Sequence, residues 1–174
     1  MKQFFYLLPL ICALLVVGPI EAKKKKYPNG NYYEGEWEKG APHGIGIMKY
    51  ADGGIYEGNW VLGKRNGQGI MKYANGDVYE GSWELGERNG QGTMKYIDGS
   101  IYIGKWQNGN KHGAGSMSSN AFKAFIETGE WKNNKLYNGK SIKESKLGQL
   151  IIEYKANKKK KTIIKNNIGG WEFD

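Results

Sequence analysis

The sequence predicts an all-β protein that folds as an antiparallel meander of stacked β-hairpins. Three observations predict it. The 174 residues include 27 glycines but only 4 prolines, and aromatic residues make up 13% of the chain. One sequence unit recurs along the chain at a constant period. Within each copy, side chains that share chemical character alternate at the two-residue period of a β-strand.

Tryptophan marks the repeat. Trp37, Trp60, Trp83 and Trp106 are evenly spaced, and Trp131 follows at a slightly longer interval. In chain order, the four full copies are YEGEWEKGAPHGIGIMKYADG, YEGNWVLGKRNGQGIMKYANG, YEGSWELGERNGQGTMKYIDG and YIGKWQNGNKHGAGSM. A short, regular period of this kind is typical of an array in which each unit packs on the next.

Each copy contains two predicted strands. In the second copy, alternation places Tyr56, Gly58 and Trp60 on one face of the first strand. Met71 and Tyr73 share the corresponding face of the second strand. The glycine between the two rings has no side chain, so we expect the flanking rings to lie over bare backbone.

Two kinds of connection join these strands. The Asp-Gly and Asn-Gly pairs at 52–53, 75–76 and 98–99 favour the positive φ of tight hairpins. The segment 63–67 and its equivalents are longer and polar, which indicates a wider hairpin loop. We therefore expect tight and wide reversals to alternate along the chain.

The sequence offers few groups for catalysis or metal binding. The single cysteine, Cys12, lies in an apolar N-terminal stretch, so the rest of the chain has no thiol. His43 and His112 occupy the same repeat position as Asn66 and Asn89, each before a glycine. We interpret this as a loop position that tolerates a left-handed backbone. No catalytic residue, metal site or cofactor is predicted.

The ring-bearing face is the candidate core and, where it stays open, the candidate binding groove. One hairpin buries too little apolar surface to offset its ordering entropy, so neighbouring copies must share burial. An incompletely covered face could bind a peptide, a helix, a lipid or a glycan. The residues of this face are Tyr33, Trp37, Met48, Tyr50, Tyr56, Trp60, Met71, Tyr73, Tyr79, Trp83, Met94, Tyr96, Tyr102 and Trp106.

The run YEGxWxxGxxxGxGxMxYxxG resembles the MORN repeat, the membrane occupation and recognition nexus module, in at least four copies within residues 27–139. The resemblance implies a single elongated, twisted and grooved β-sheet. It also implies a non-enzymatic module used for phospholipid or membrane attachment, protein binding and assembly. We therefore expect a protein partner, an anionic membrane surface or both, and self-association is compatible with this expectation.

The ends of the chain differ from the array. Residues 1–22 have the build of a secretory signal, with a lysine, an apolar stretch and a Gly-Pro break before Ala22. We expect cleavage there and export to the secretory pathway, the exterior or a periplasm. A membrane anchor through residues 4–20 is the alternative.

The remainder divides by composition into three parts. Residues 23–26 are interpreted as a basic linker, 27–140 as the repeat array and 141–174 as a divergent basic β cap. Within this cap, residues 150–154 and 162–165 are expected to form a hairpin.

The net charge of +9 is concentrated at the ends, because residues 27–139 hold 12 Lys and Arg against 12 Asp and Glu. A neutral repeat body in an exported chain does not suit nucleic-acid binding. Lysine clusters suit anionic lipid headgroups, although they also serve simply to keep the ends soluble. A secreted binding protein for glycans or lipid headgroups is the alternative function. The candidate anionic-surface contacts are Lys23, Lys24, Lys25, Lys26, Lys158, Lys159, Lys160 and Lys161.

Overall fold

A computed structural model of the chain describes residues 22–119, 125–145, 148–166 and 169–173. In it, 14 strands form one open antiparallel sheet whose strands are ordered as in the chain. The prediction of an all-β meander is confirmed. No helix in the described part of the chain is long and apolar enough to cross a membrane. The predicted signal or anchor lies outside the described residues, except for Ala22.

Strands of 7 residues alternate with strands of 9 or 10 residues through the four full repeats. This alternation reproduces the two predicted strands of each copy. The strands are β1 (Ala22–Lys26), β2 (Tyr32–Glu38), β3 (Ala41–Lys49), β4 (Ile55–Val61), β5 (Lys64–Lys72), β6 (Val78–Glu84), β7 (Glu87–Lys95), β8 (Ile101–Gln107), β9 (Asn110–Ser119), β10 (Phe125–Lys132), β11 (Lys135–Ser145), β12 (Gly148–Lys155), β13 (Lys158–Asn166) and β14 (Gly169–Phe173).

The basic segment 23–26 lies in strand β1 rather than in a linker. It pairs with β2, so that Lys24 is opposite Glu34 and Lys25 is opposite Tyr33. The Lys24 Nζ to Glu34 Oε1 distance is 3.1 Å. Lysine has only a slightly low β-strand propensity, and backbone pairing with the edge of β2 outweighs it.

The C-terminal hairpin forms where the sequence predicts it. Residues 150–154 lie within β12 and residues 162–165 within β13, and these two strands pair with each other. β12 also pairs with β11, so the cap continues the same sheet without an interruption in strand pairing.

The structure has tight connections where the sequence predicts wide ones, and wider connections where it predicts tight ones. The tight turn of the second copy is Leu62-Gly63, whose φ values are 45° and 80°. Two positive φ values in a two-residue connection are the pattern of a type I′ hairpin. The polar segment after it, 64–67, belongs to β5. The prediction of a wide loop at 63–67 was therefore wrong.

The Asp-Gly and Asn-Gly pairs lie in five-residue loops instead. In the loop 50–54 only Gly53 has a positive φ, of 95°. The Asp52 side chain accepts a hydrogen bond from the Gly54 N–H at 2.8 Å. Asp52 therefore closes a local side-chain turn and does not adopt the left-handed backbone of a tight hairpin.

A row of ten paired glycines crosses the sheet from β2 to β11. A Cβ on Gly69 would overlap the ring of Tyr56, and one on Gly58 would meet the backbone of Gly69. The expectation that rings lie over bare backbone is therefore met by glycines on two neighbouring strands. The row consists of Gly35, Gly46, Gly58, Gly69, Gly81, Gly92, Gly104, Gly115, Gly129 and Gly139.

Candidate interaction surfaces

Most of the predicted ring-bearing face is buried core. Four tyrosines are fully buried, namely Tyr33, Tyr56, Tyr79 and Tyr102. The methionines and three of the tryptophans are at most 7% exposed, namely Met48, Met71, Met94, Trp60, Trp83 and Trp106. The remaining four residues are partly buried against this core, namely Trp37, Tyr50, Tyr73 and Tyr96.

Each buried tyrosine lies between two tryptophans. The Tyr56 ring is 5.0 Å from Trp60 and 5.3 Å from Trp83, in both cases nearly perpendicular to the indole. Edge-to-face pairs at this separation add to the stabilisation that burial alone provides. Because Trp83 also contacts Tyr79, the rings form a continuous ladder from one repeat to the next.

The polar ends of these rings have hydrogen-bond partners. The Tyr79 hydroxyl donates to the Ser82 carbonyl at 3.0 Å, and the Trp83 indole N–H donates to the Gly69 carbonyl at 3.2 Å. Burial raises the pKa of the Tyr33 and Tyr102 hydroxyls to about 12. The rings therefore serve packing and backbone support within the sheet.

Basic side chains cover the ladder, a feature that the sequence analysis did not identify. The Arg65 guanidinium carbon lies 4.2 Å from the centre of the Trp83 ring, and that of Arg88 lies 4.4 Å from Trp106. Lys111 takes the same repeat position, 4.6 Å from the centre of the Trp131 ring. A basic residue recurs at this position in three successive repeats, whereas the first full repeat has Pro42 there, and this recurrence is visible in the sequence.

The two arginines also tie one repeat to the turn of the next repeat. Nη2 of Arg65 donates to the Gly86 carbonyl at 2.6 Å, and Nη2 of Arg88 donates to the Gly109 carbonyl at 2.6 Å. Burial lowers the pKa of Lys111.

Part of the ring-bearing face remains open beside the five-residue loops. A depression of ≈ 440 Å³ there is lined in part by Tyr73 and Tyr96 and by the charged residues Asp52, Asp77 and Arg88. Both tyrosines belong to the predicted face. This depression is one portion of the predicted groove that a ligand can reach.

A second series of depressions follows the repeat. Their volumes are ≈ 390, ≈ 420 and ≈ 510 Å³, and each lies beside a tryptophan edge and a positive-φ glycine. His43, Asn66, Asn89 and His112 line them. These four residues lie in strands and have no positive φ, so their assignment to a left-handed loop position was wrong. The glycine that follows each of them takes the positive φ.

The two predicted lysine clusters lie far apart. Residues 23–26 are in β1, and residues 158–161 begin β13. Twelve strand spacings of about 4.8 Å separate them by about 58 Å along the sheet. The structure therefore does not join them into one basic patch. It does bring Lys132, Lys135 and Lys155 to the edge on which Lys158 lies.

No group of three or more His, Cys, Asp or Glu residues within the described ranges could hold a metal ion. His43 Nδ1 lies 3.2 Å from Glu38 Oε2, and the Asn89 side-chain amide donates to Glu84. The Asn89–Glu84 hydrogen bond joins β7 to β6 beside the second series of depressions, whereas His43 Nδ1 makes no hydrogen bond with the described residues.

Comparison with known proteins identifies the repeat. No curated protein matches the chain. Among solved structures, the SAS-4 (dCPAP) TCP domain of Drosophila melanogaster, in complex with a proline-rich motif of Ana2 (dSTIL), is 14% identical with a TM-score of 0.41. The match covers 90% of this chain and 96% of that one. The family model of the MORN repeat matches residues 33–55, 56–78, 79–101 and 102–120, just over half of the chain. The chain therefore belongs to the MORN repeat family.

Proposed function

We propose that this chain is a non-enzymatic scaffold that binds a protein partner or an anionic membrane surface. MORN repeats form a non-enzymatic family of protein- and membrane-interaction scaffolds. The observation that carries the proposal is the repetition of equivalent depressions on successive units of a self-supporting sheet. A periodic surface of this kind suits an elongated partner that contacts several units at once.

Site-specific photo-crosslinking tests the protein arm. A photoreactive residue at Asn66, Asn89 or His112, which line successive depressions, should crosslink one and the same partner in the native source. The matched control is the same residue at Glu34 or Glu57, which are exposed at other repeat positions. Equal labelling at all positions, or no specific product in high salt, would contradict the protein arm.

Vesicle binding tests the membrane arm. The chain should bind phosphatidylserine-containing vesicles more tightly than pure phosphatidylcholine vesicles, and added salt should weaken this binding because lysine attraction is screened. Replacement of Lys158 to Lys161 by Gln should reduce it. If the affinity for vesicles changes neither with salt nor with these substitutions, the electrostatic form of the proposal is excluded.

The burial of the tryptophans does not favour the alternative of a glycan-binding protein that uses the ring faces. Sugar stacking needs an accessible ring face, whereas Trp60, Trp83 and Trp106 are only 3 to 4% exposed. Glycan binding stays a prediction from the sequence, and quenching of tryptophan fluorescence by a soluble sugar would support it.

We further propose export after removal of residues 1–22, with anchorage through residues 4–20 as the alternative. Pairing with β2 involves Lys23 to Lys26, so cleavage after Ala22 leaves these lysines available to the sheet. The mass of the native protein tests this. A native chain that begins at Lys23 supports export, whereas an intact N-terminus in a membrane fraction supports the anchor.

A further inference from the structure

Six two-residue turns lie side by side on one edge of the sheet, which we name the turn edge. They are 39–40, 62–63, 85–86, 108–109, 133–134 and 156–157. Every second connection of a meander falls on the same edge, so successive turns are two strands apart, about 9.6 Å. The turn edge therefore carries six tips, spread over about 48 Å when measured across the strands.

Two of these tips carry a leucine, which is unfavourable both in a left-handed backbone conformation and when exposed to water. Leu62 and Leu85 have φ values of 45° and 51° and are 54% and 66% exposed. Asn108 and Asn133 occupy the equivalent position in later turns. Asparagine tolerates the left-handed region, whereas leucine there is strained. Nothing in their own turns requires two exposed leucines, and the neighbouring Val61 is also exposed.

The last two tips of the turn edge are basic. Lys132 and Lys135 flank the turn 133–134, and Lys155 and Lys158 flank the turn 156–157. All four side chains are exposed, and none has an ion-pair partner among the residues that the structure describes.

The two basic turns are held beside each other, and the nearby acids are engaged elsewhere. The Asn157 N–H donates to the Tyr137 carbonyl at 2.7 Å, and the Ala156 N–H donates to the Asn138 side chain at 3.0 Å. Glu130 accepts a hydrogen bond from Asn138, and Glu153 pairs with Lys140 at 3.3 Å. Lys132 Nζ lies 5.3 Å from the centre of the Tyr137 ring, and no carboxylate in the described ranges forms an ion pair with any of the four lysines, so their charge can attract an external anion.

We propose that the turn edge docks on an anionic lipid bilayer, with Leu62 and Leu85 inserted below the headgroups and the four lysines against lipid phosphates. This inference rests on the membrane arm of the proposed function and names its surface. A bilayer offers an anionic surface with an apolar layer beneath it, which matches lysines and exposed leucines on one edge. The six turn tips project from this one edge of the sheet, and Leu85 also lines one of the depressions beside the tryptophans.

The charged residues around the two leucines do not provide the attraction to the anionic bilayer. Lys64 stands beside the Leu62 turn, and Glu84 and Glu87 flank the Leu85 turn. Leucine insertion and lysine attraction therefore make separable contributions, the first resistant to salt and the second sensitive to it.

The first test replaces both leucines by the residue that the turn prefers. Leu62→Asn with Leu85→Asn should leave the thermal midpoint unchanged or higher, because Asn suits the left-handed position. Affinity for vesicles of phosphatidylcholine and phosphatidylserine should fall about tenfold or more. The matched control is Ile97→Asn, which removes an aliphatic side chain that is 73% exposed on the opposite edge and should leave affinity unchanged.

The second test removes the four lysines of the turn edge. Replacing Lys132, Lys135, Lys155 and Lys158 by Gln should weaken binding about tenfold or more at low salt and flatten its salt dependence. The matched control carries the same charge change at other exposed lysines, and it should have the smaller effect. These control positions are Lys49, Lys72, Lys95 and Lys143.

Each remaining outcome decides between the two proposals. If the wild-type chain binds the vesicles and both turn-edge variants bind equally well, the turn edge is excluded while membrane attachment stands. If the wild-type chain does not bind them, membrane attachment and this inference both fail. If the leucine variant loses a crosslinked protein partner but keeps vesicle binding, the edge docks a protein and the inference is overturned.

Discussion

The repeat array and the C-terminal strands belong to one sheet but build its core differently. In the array, fully buried tyrosines and nearly buried tryptophans lie over a glycine row. The row ends at Gly139, which is opposite Tyr154. Beyond it, Leu150, Ile151 and Ile152 are only half-buried. The difference teaches that a single-layer sheet can bury a core where bare backbone lets large rings lie flat on it.

Removing one indole should have the largest effect. Trp83→Ala deletes contacts with Tyr56 and Tyr79 and a bond to the Gly69 carbonyl, so we expect a loss of about 3 to 5 kcal/mol in the free energy of unfolding. The half-buried Ile152 gives the comparison, and Ile152→Ala should cost roughly 1 to 2 kcal/mol. Urea unfolding followed by circular dichroism measures both. Equal costs would remove the distinction between the two regions.

Crowding the glycine row should be nearly as damaging. Gly69→Ala places a methyl group into the Tyr56 ring, for an expected loss of about 3 kcal/mol. The control is Gly86→Ala in a turn, where the methyl group meets no atom and only the φ of 94° is strained. It should cost about 1 kcal/mol. A Gly69→Ala variant no less stable than the control would show that the ring does not need bare backbone.

Loss of a covering cation should have a moderate effect. Arg88→Gln removes the guanidinium from the Trp106 ring and from the Gly109 carbonyl, and we expect a loss of about 1 to 2 kcal/mol in stability. The exposed Lys95 is the control, and Lys95→Gln should change stability by less than about 0.5 kcal/mol. If the two substitutions have the same effect, the arginine only lies near the ladder without stabilising it.

Alkaline pH should weaken the array gradually. The unfolded chain releases tyrosine protons near pH 10, whereas burial raises the pKa of Tyr33 and Tyr102 to about 12 in the folded sheet. The folded state then holds more protons than the unfolded state, so stability is full below pH 10 and falls as pH rises toward 12.

Denaturation midpoints measured across this pH range test the prediction. Burial also raises the pKa of Tyr79, so Tyr79→Phe should make the fall shallower, although the variant loses the bond to the Ser82 carbonyl. A midpoint independent of pH, or one that rises, would contradict the burial of the phenol groups.

The sequence was sufficient for the elements that periodicity controls. The spacing of Trp37, Trp60, Trp83 and Trp106 predicted two strands in every full copy, although residues 64–67 of the second copy were assigned to a loop. The alternation around Tyr56 identified the face that is buried. Glycine was also interpreted correctly, because a strand glycine between two rings has few other uses.

The sequence was insufficient where long-range pairing decides the local structure. Leu62 resembles the end of a strand, yet it adopts a left-handed turn because the registers on both sides require a two-residue connection there. Lys23 to Lys26 suggested a linker, since their pairing depends on the free edge of β2. The position of Arg65 recurs in the sequence, but which ring its flexible side chain reaches depends on the approach of the next repeat.

Hydrogen exchange along the intact chain tests most directly whether repeats stabilise one another through the ring and glycine contacts. Amides of β4 to β8, which have a ring-bearing neighbour on each side, should exchange most slowly, and protection should decline toward β1 and through β12 and β13. Uniform protection along the sheet, or greater protection in β12 and β13 than in the array, would contradict the account.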